Sequence, residues 1–199
     1  YELTLGDINI VDWTEDRNTH GGEARQYYVV NLTEPGTLGR TIKAARKNPD
    51  RIRNLKVSGK ITTEDFYFMR DSMAILEAVN LKEAKVVNGT DSDAGVRSDD
   101  IIPAGAFSHK KTLIHFEFPE KTTYIGHGAF NETSLSGALI IPDEVTEIGG
   151  SAFCNTLIRS VSLPSKLVQI SYSAFDSCES LTGNLNLPET LKRIEYRAF

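Results

Sequence analysis

Leu157-Ile158-Arg159-Ser160-Val161-Ser162-Leu163-Pro164-Ser165-Lys166-Leu167-Val168-Gln169-Ile170-Ser171-Tyr172-Ser173-Ala174-Phe175 is one full unit of a pattern that recurs along this chain. It runs from an apolar segment ended by a proline, through a second apolar pair, to a closing Ala-Phe. That dipeptide returns as Ala106-Phe107, Ala129-Phe130, Ala152-Phe153, Ala174-Phe175 and Ala198-Phe199, with spacings of 23, 23, 22 and 24 residues. Pro119, Pro142, Pro164 and Pro188 precede Phe130, Phe153, Phe175 and Phe199 at one constant interval. A period in this range marks a solenoid, in which each coil buries its apolar edge only by stacking on its neighbours.

Aligned on the prolines, four coils share an apolar set: Leu113, Phe116 and Phe118; Leu135, Leu139 and Ile141; Leu157, Val161 and Leu163; Leu181, Leu185 and Leu187. The last two members of each set are two residues apart, so both face the same way from a short strand. Proline ends that strand because it has no N–H for a ladder bond. Beyond it come Thr122 and Ile125, Val145 and Ile148, Leu167 and Ile170, and Leu191 and Ile194. The Phe closes the coil from the outer side, and its Ala neighbour allows tight packing.

The template extends upstream through Ile52, Leu55 and Val57, then Leu76, Val79 and Leu81. From Leu81 to Phe118 there is one period plus an insertion, assigned to the polar stretch 88–100. The early units carry helices on the outer side. Thr62-Thr63-Glu64-Asp65 reads as a Thr-capped start with acids in the first turn, and Phe66, Met69 and Met73 form its buried face. Another helix is expected over 38–47, capped by Thr37, with Leu38, Ile42 and Ala45 inward and Pro49 beyond its end. Leu3, Leu5, Ile8 and Ile10, then residues 27–32, read as strands around a polar turn at 18–22. The expected fold is an α/β solenoid with a parallel β-sheet on the concave face, helices in the early units, short turns in the later ones and an N-terminal β-containing cap. Residues 1–50 form the cap. Residues 51–199 form a repeat domain of about six units, expected to continue past Phe199 in a longer parent protein.

The formal charge of −5 argues against broad nucleic-acid binding, which needs a basic surface to displace counterions. Arg46-Lys47 and the pair Arg51 and Arg53 are interrupted by Pro49 and Asp50. No run approaches the ~20 apolar residues of a membrane span. Cys154 and Cys178 are too few for a disulfide framework. They read as buried free thiols, with a disulfide between adjacent coils as the alternative.

The run Leu157–Ser162, Leu163-Pro164, Leu167, Ile170, Ala174-Phe175, Cys178 and Ser180-Leu181 resembles the BspA-like class of leucine-rich repeats. Ser134-Leu135-Ser136-Gly137-Ala138-Leu139 and Ser180-Leu181-Thr182-Gly183-Asn184-Leu185 match the variant of that class with an extra Gly-containing step. The resemblance is specific over 100–199 and looser over 35–87, through Pro35-Gly36-Thr37-Leu38, residues 55–59 and Asp65-Phe66. The common leucine-rich motif places Asn or Cys three residues past the strand as an interior ladder. Lys121, Glu144, Lys166 and Thr190 stand there instead. The resemblance implies a secreted or cell-surface bacterial protein that adheres to host proteins, matrix or other cells.

Catalysis would need a convergent polar set, and none is visible. His20, His109, His115 and His127 share no zinc spacing. Asp91, Asp93 and Gly95 hint at a calcium loop, but no Glu follows at the required position, and a plain polar loop is the better reading. No enzyme activity, cofactor or metal is therefore expected. The functional expectation falls on the outward strand positions Glu117, Ile140, Ser162 and Asn186, flanked by His115, Ala138, Ser160 and Asn184. They form a small, mostly polar strip open to a protein or glycan ligand, with Ile140 apolar where solvent is expected. The alternative is a spacer that presents another domain and has no ligand of its own.

Overall fold

A computed structural model describes residues 14–16, 25–92 and 95–199. The expected strand at Leu3, Leu5, Ile8 and Ile10, the turn at 18–22 and Asp93 lie outside them. In chain order the elements are β1 (Thr14–Asp16), β2 (Arg25–Leu32), α1 (Leu38–Ala44), a 3-10 turn (Pro49–Arg51), β3 (Asn54–Ile61), α2 (Thr63–Ser72), β4 (Ala78–Asn80) and β5 (Ala84–Val86). Then follow β6 (Gly89–Asp91), β7 (Val96–Ser98), β8 (Ile101–Ile102), β9 (His115–Glu117), β10 (Tyr124–Ile125) and β11 (Ser136–Ile140). The last four are β12 (Glu147–Ile148), β13 (Leu157–Ser162), β14 (Gln169–Ile170) and β15 (Arg193–Ile194).

The front sheet runs β1-β2-β3-β4-β9, parallel throughout except for β1, with β5 also joined to β3. Its register places Tyr28, Leu55, Val79 and Phe116 in one row, and all four are buried. The expected continuous sheet is interrupted here. The next coil joins the front here through the Ser136 N–H donating to the carbonyl of Ile114, the residue before β9. β11 and β13 then pair in parallel with a bulge at Arg159, and the fourth coil forms no front strand, held there by one bond from Thr182 N–H to the Arg159 carbonyl. Length accounts for the irregularity of the later coils. The stretches from Phe107 to Pro119 and Phe130 to Pro142 are equal, whereas those from Phe153 to Pro164 and Phe175 to Pro188 differ from them. The third is the shortest and the fourth the longest, so neighbouring front segments arrive out of step. Gly137 and Gly183, both at positive φ, turn the chain where the extra residues enter.

The same shift corrects the apolar alignment at one point. Leu157 is 52% exposed, and Ile158 beside it is the buried residue. Thr156 occupies the inward place that Leu135 holds one coil earlier, both buried. Leu187, an inward position by pattern, is 52% exposed.

The segment from proline to Phe is constant in length, and it carries a second parallel ladder, β8-β10-β12-β14-β15. Ile102, Ile125, Ile148, Ile170 and Ile194 align across its five rungs. The expected short turns of the later coils thus each hold a two-residue strand.

The third edge is the Phe turn. Phe107, Phe130, Phe153, Phe175 and Phe199 stack with centroids 5.7, 5.3, 5.3 and 5.2 Å apart and ring planes within 15° of parallel. Phe116 and Phe118 meet this column edge-on, the arrangement favoured by ring quadrupoles. Each turn is shaped by left-handed residues two before and two after the Phe: Gly105 and His109, Gly128 and Glu132, Ser151 and Asn155, Ser173 and Ser177. That geometry points alternate N–H groups along the stack. In the coils of Phe107, Phe130 and Phe153, the N–H of the residue two before, of the Phe itself and of the residue two after all donate to carbonyls of the next coil. Interior polar groups add further bonds. Thr133 and Thr156 hydroxyls donate to the carbonyls of Phe130 and Phe153, and the Cys178 thiol also donates to the Phe153 carbonyl, across to the coil before. Cys154 and Cys178 are free thiols, and burial raises both above the ordinary thiol pKa.

Both helices lie on this outer side. α2 buries Phe66, Met69 and, just past its end, Met73. α1 ends at Ala44, three residues short of the expected end, and Thr37 makes no side-chain cap. Asp65 does that work for both helices: its buried carboxylate accepts from the N–H groups of Gly36, Leu38 and Thr62 at 2.7, 2.9 and 2.9 Å. Buried Lys110 closes the other end of α2, donating to the carbonyls of Arg70 and Met73 at 2.9 and 2.8 Å. The insertion forms the antiparallel hairpin β6–β7. Asp91, considered as a calcium ligand, is fully buried and accepts from the Tyr124 hydroxyl and the His127 N–H at 2.9 and 2.7 Å. It anchors the hairpin to the second ladder. Among the described residues no helix is long and apolar enough to cross a membrane.

Candidate functional site

The outward positions of the front face come together in part. β11 and β13 place Ala138 beside Ser160 and Ile140 beside Ser162. With Asn184 and Asn186 from the fourth coil, these residues line a shallow depression of about 190 Å³ whose floor includes Leu139, Val161 and Leu163. Because the fourth coil forms no strand there, the depression opens between β13 and the segment that carries the two asparagines. Ile140 is 50% exposed at its rim. Ser and Asn supply small donors and acceptors, and Ile140 supplies the apolar contact that water cannot satisfy.

His115 and Glu117 are not part of this depression. They lie on β9, across the interruption of the sheet, opposite Ala78 and Asn80 of β4. His115 Nε2 and Glu117 Oε1 are 3.4 Å apart. Upstream on the same face, Lys56 pairs with Glu83 at 2.8 Å. The front face therefore carries paired charged and polar side chains over its first coils, whereas the depression over its last ones is lined by uncharged side chains.

Two features escaped the reading of the sequence. Leu157 is an exposed apolar residue at the start of β13, hidden by the apolar residue next to it. Arg46, Lys47 and Arg51, separated in the chain by Pro49 and Asp50, border one hollow of about 370 Å³ beside Tyr28 and Ile52. Among the described residues no group of three His, Cys, Asp or Glu side chains is placed to hold a metal ion.

Among curated proteins none matches this sequence. Among solved structures, the leucine rich repeat protein of T. pallidum (TpLRR) is 16% identical with a TM-score of 0.56, over 98% of this chain and 86% of that one. A leucine rich cell surface protein from Faecalibacterium prausnitzii A2-165 is 14% identical with a TM-score of 0.30, over 96% of this chain and 77% of that one. With so few residues shared, the likeness to the T. pallidum protein is one of fold. The family described as BspA type leucine rich repeat region matches residues 100–199 in six copies. Those residues carry the Phe column, the second ladder and the front depression, and the chain belongs to the BspA type leucine rich repeat family.

Proposed function

We propose that this chain is a cell-surface or secreted adhesion module that binds a protein ligand over the last coils of its front face. The observation that carries the reading is the convergence of Ile140, Ser160, Ser162, Asn184 and Asn186 on one open depression with an exposed aliphatic side chain at its rim. A repeat family of this kind supports an interaction module, since a stacked solenoid offers an extended surface rather than a deep reaction pocket. His115 and Glu117 extend the surface toward the earlier coils.

The test is binding of the purified chain to an array of extracellular-matrix proteins. One matrix protein is expected to bind saturably, and the combined variant Glu117→Ala, Ile140→Asp, Ser162→Arg is expected to lose that binding while melting like the wild type. Full retention by this variant would remove the front face from the reading.

The regular hydrogen-bonded rungs and ring column favour a second reading, a stiff spacer without a ligand. Removal of one whole coil, 131–153, separates the two. A spacer keeps the parent protein's activity at a shorter reach, whereas an adhesion module loses its ligand.

A further inference from the structure

We propose that the corner formed by Tyr172 and Tyr196, beside the outer face of the second ladder, binds an uncharged saccharide. This site is separate from the front depression and does not depend on it.

Tyr172 leaves the ladder three residues before Phe175, and its ring is 48% exposed. The ring is held in place. Gly150 occupies the same position one coil earlier, and a Cβ there would lie 2.6 Å from the ring. The phenol therefore lies across that coil, and its hydroxyl meets Nδ1 of His127, two coils away, at 3.1 Å. Its backbone N–H donates to the Glu195 carboxylate at 3.0 Å. Tyr196, the equivalent residue of the next coil, is 80% exposed.

The ladder register aligns Tyr124, Glu147, Gln169 and Arg193 in an outward row beside these rings. Gln169 Nε2 and the Ser171 hydroxyl both donate to Glu147 Oε1, at 3.2 and 3.1 Å. This fixes the carboxylate and leaves Glu147 Oε2 and Gln169 Oε1 without a hydrogen-bond partner among the described residues.

A half-exposed ring held rigid beside fixed acceptors matches what a pyranose offers: a face of C–H groups to lie on the ring and hydroxyls to donate sideways. The charge pattern selects among sugars. Glu147 and Glu195 are acidic, and Arg193 is already paired with Glu195 at 3.1 Å. Sulfated and sialylated chains are repelled, so the ligand is neutral. An oligosaccharide running along the stack would meet the two tyrosines and the acceptor row in turn.

Calorimetric titration of the whole chain with neutral hexasaccharides of glucose, galactose and mannose tests this, with a heparin hexasaccharide as the charged probe. At least one neutral hexasaccharide should saturate and heparin should not. Tyr172→Ala should weaken binding about tenfold or more, and Glu147→Ala several-fold. Tyr172→Phe, which keeps the ring, should stay within about threefold, and Ile140→Asp should bind as the wild type. Thermal melts of each variant separate lost contacts from lost structure. No saturation by any neutral probe up to about 10 mM, preference for heparin, or unchanged binding by Tyr172→Ala would overturn the proposal.

Discussion

The rings of Phe130 and Phe153 lie 2° from parallel with their centroids 5.3 Å apart. Backbone geometry sets that distance: the Phe130 N–H donates to the Ala152 carbonyl at 2.7 Å, and successive coils can be no further apart than this rung allows. Ala129 and Ala152, both fully buried, leave the room for it. The ring column is therefore the side-chain image of a hydrogen-bonded ladder.

Phe153 is fully buried between two stacked rings, so Phe153→Ala should cost about 3–5 kcal/mol of unfolding free energy. Among the described residues Phe199 stacks on Phe175 alone and is 47% exposed, so Phe199→Ala in this 199-residue chain should cost much less. Urea unfolding of both variants checks the contrast. Equal losses would mean that stacking in the column's interior carries no special weight.

Ser173 adopts φ 51°, a left-handed conformation that costs a side-chain-bearing residue about 1 kcal/mol. Ser173→Gly should therefore stabilise the chain by roughly 0.5–1 kcal/mol. Gly128 occupies the same place two coils earlier, at φ 57°, where a would-be Cβ would make only an ordinary contact, 3.9 Å from Asn131 Cβ. Gly128→Ala should destabilise by about 1 kcal/mol through backbone strain alone. Thermal melts showing opposite signs for the two substitutions would bear this out; a common sign would not.

Asp65→Ala strands three N–H groups at the starts of α1 and α2 and should cost about 3 kcal/mol or more. Asp65→Asn leaves one acceptor oxygen and sets an NH2 group among donors, so it should rescue only part of the loss. Amide hydrogen exchange should show the faster opening at Gly36 and Leu38, with the later coils unaffected.

Burial holds the Lys110 ammonium below the usual lysine pKa, with Asp71 opposing the shift. Between that depressed folded value and the ordinary one, the unfolded chain binds more protons, so stability rises with pH through that window. The contribution is complete above the ordinary lysine pKa and disappears as pH falls through the folded value. Lys110→Met should cost about 1–3 kcal/mol at neutral pH by leaving two carbonyls unsatisfied. The gap between wild type and variant should widen in favour of the wild type from pH 7 to 10. A gap that narrows would mean that the charged form is the one the site prefers.

The coil period was legible in the primary structure because Phe153 and Pro164 repeat as spaced single residues whose roles no other type fills. The caps and buried faces of α2 were equally plain, through Thr62, Asp65, Phe66 and Met69. The second ladder was not, because two residues such as Glu147-Ile148 are too short to display alternation. Leu157 misled because it adjoins Ile158 and either could fill an inward place. Lys110 looks like an ordinary surface charge until a partner 37 residues away is known, and nothing local shows that Asp65 also holds the start of α1, 27 residues before it. Of the strip expected on the front face, Ile140, Ser160, Ser162, Asn184 and Asn186 meet, whereas His115 and Glu117 lie beyond a break in the front sheet. Nothing in a linear pattern announces that Tyr172 rests on Gly150 and reaches His127, 45 residues back.

Coils of this chain differ in length only on one side: the step from each proline to its Phe never changes, and the excess falls on the way from Phe to proline. The constant half acts as a jig that holds pitch, so the other half can be rewritten coil by coil without retooling the fold. Bulges, glycine steps and new side chains accumulate there at little structural cost. A lineage built on such coils can vary the surface it presents while leaving its spine untouched.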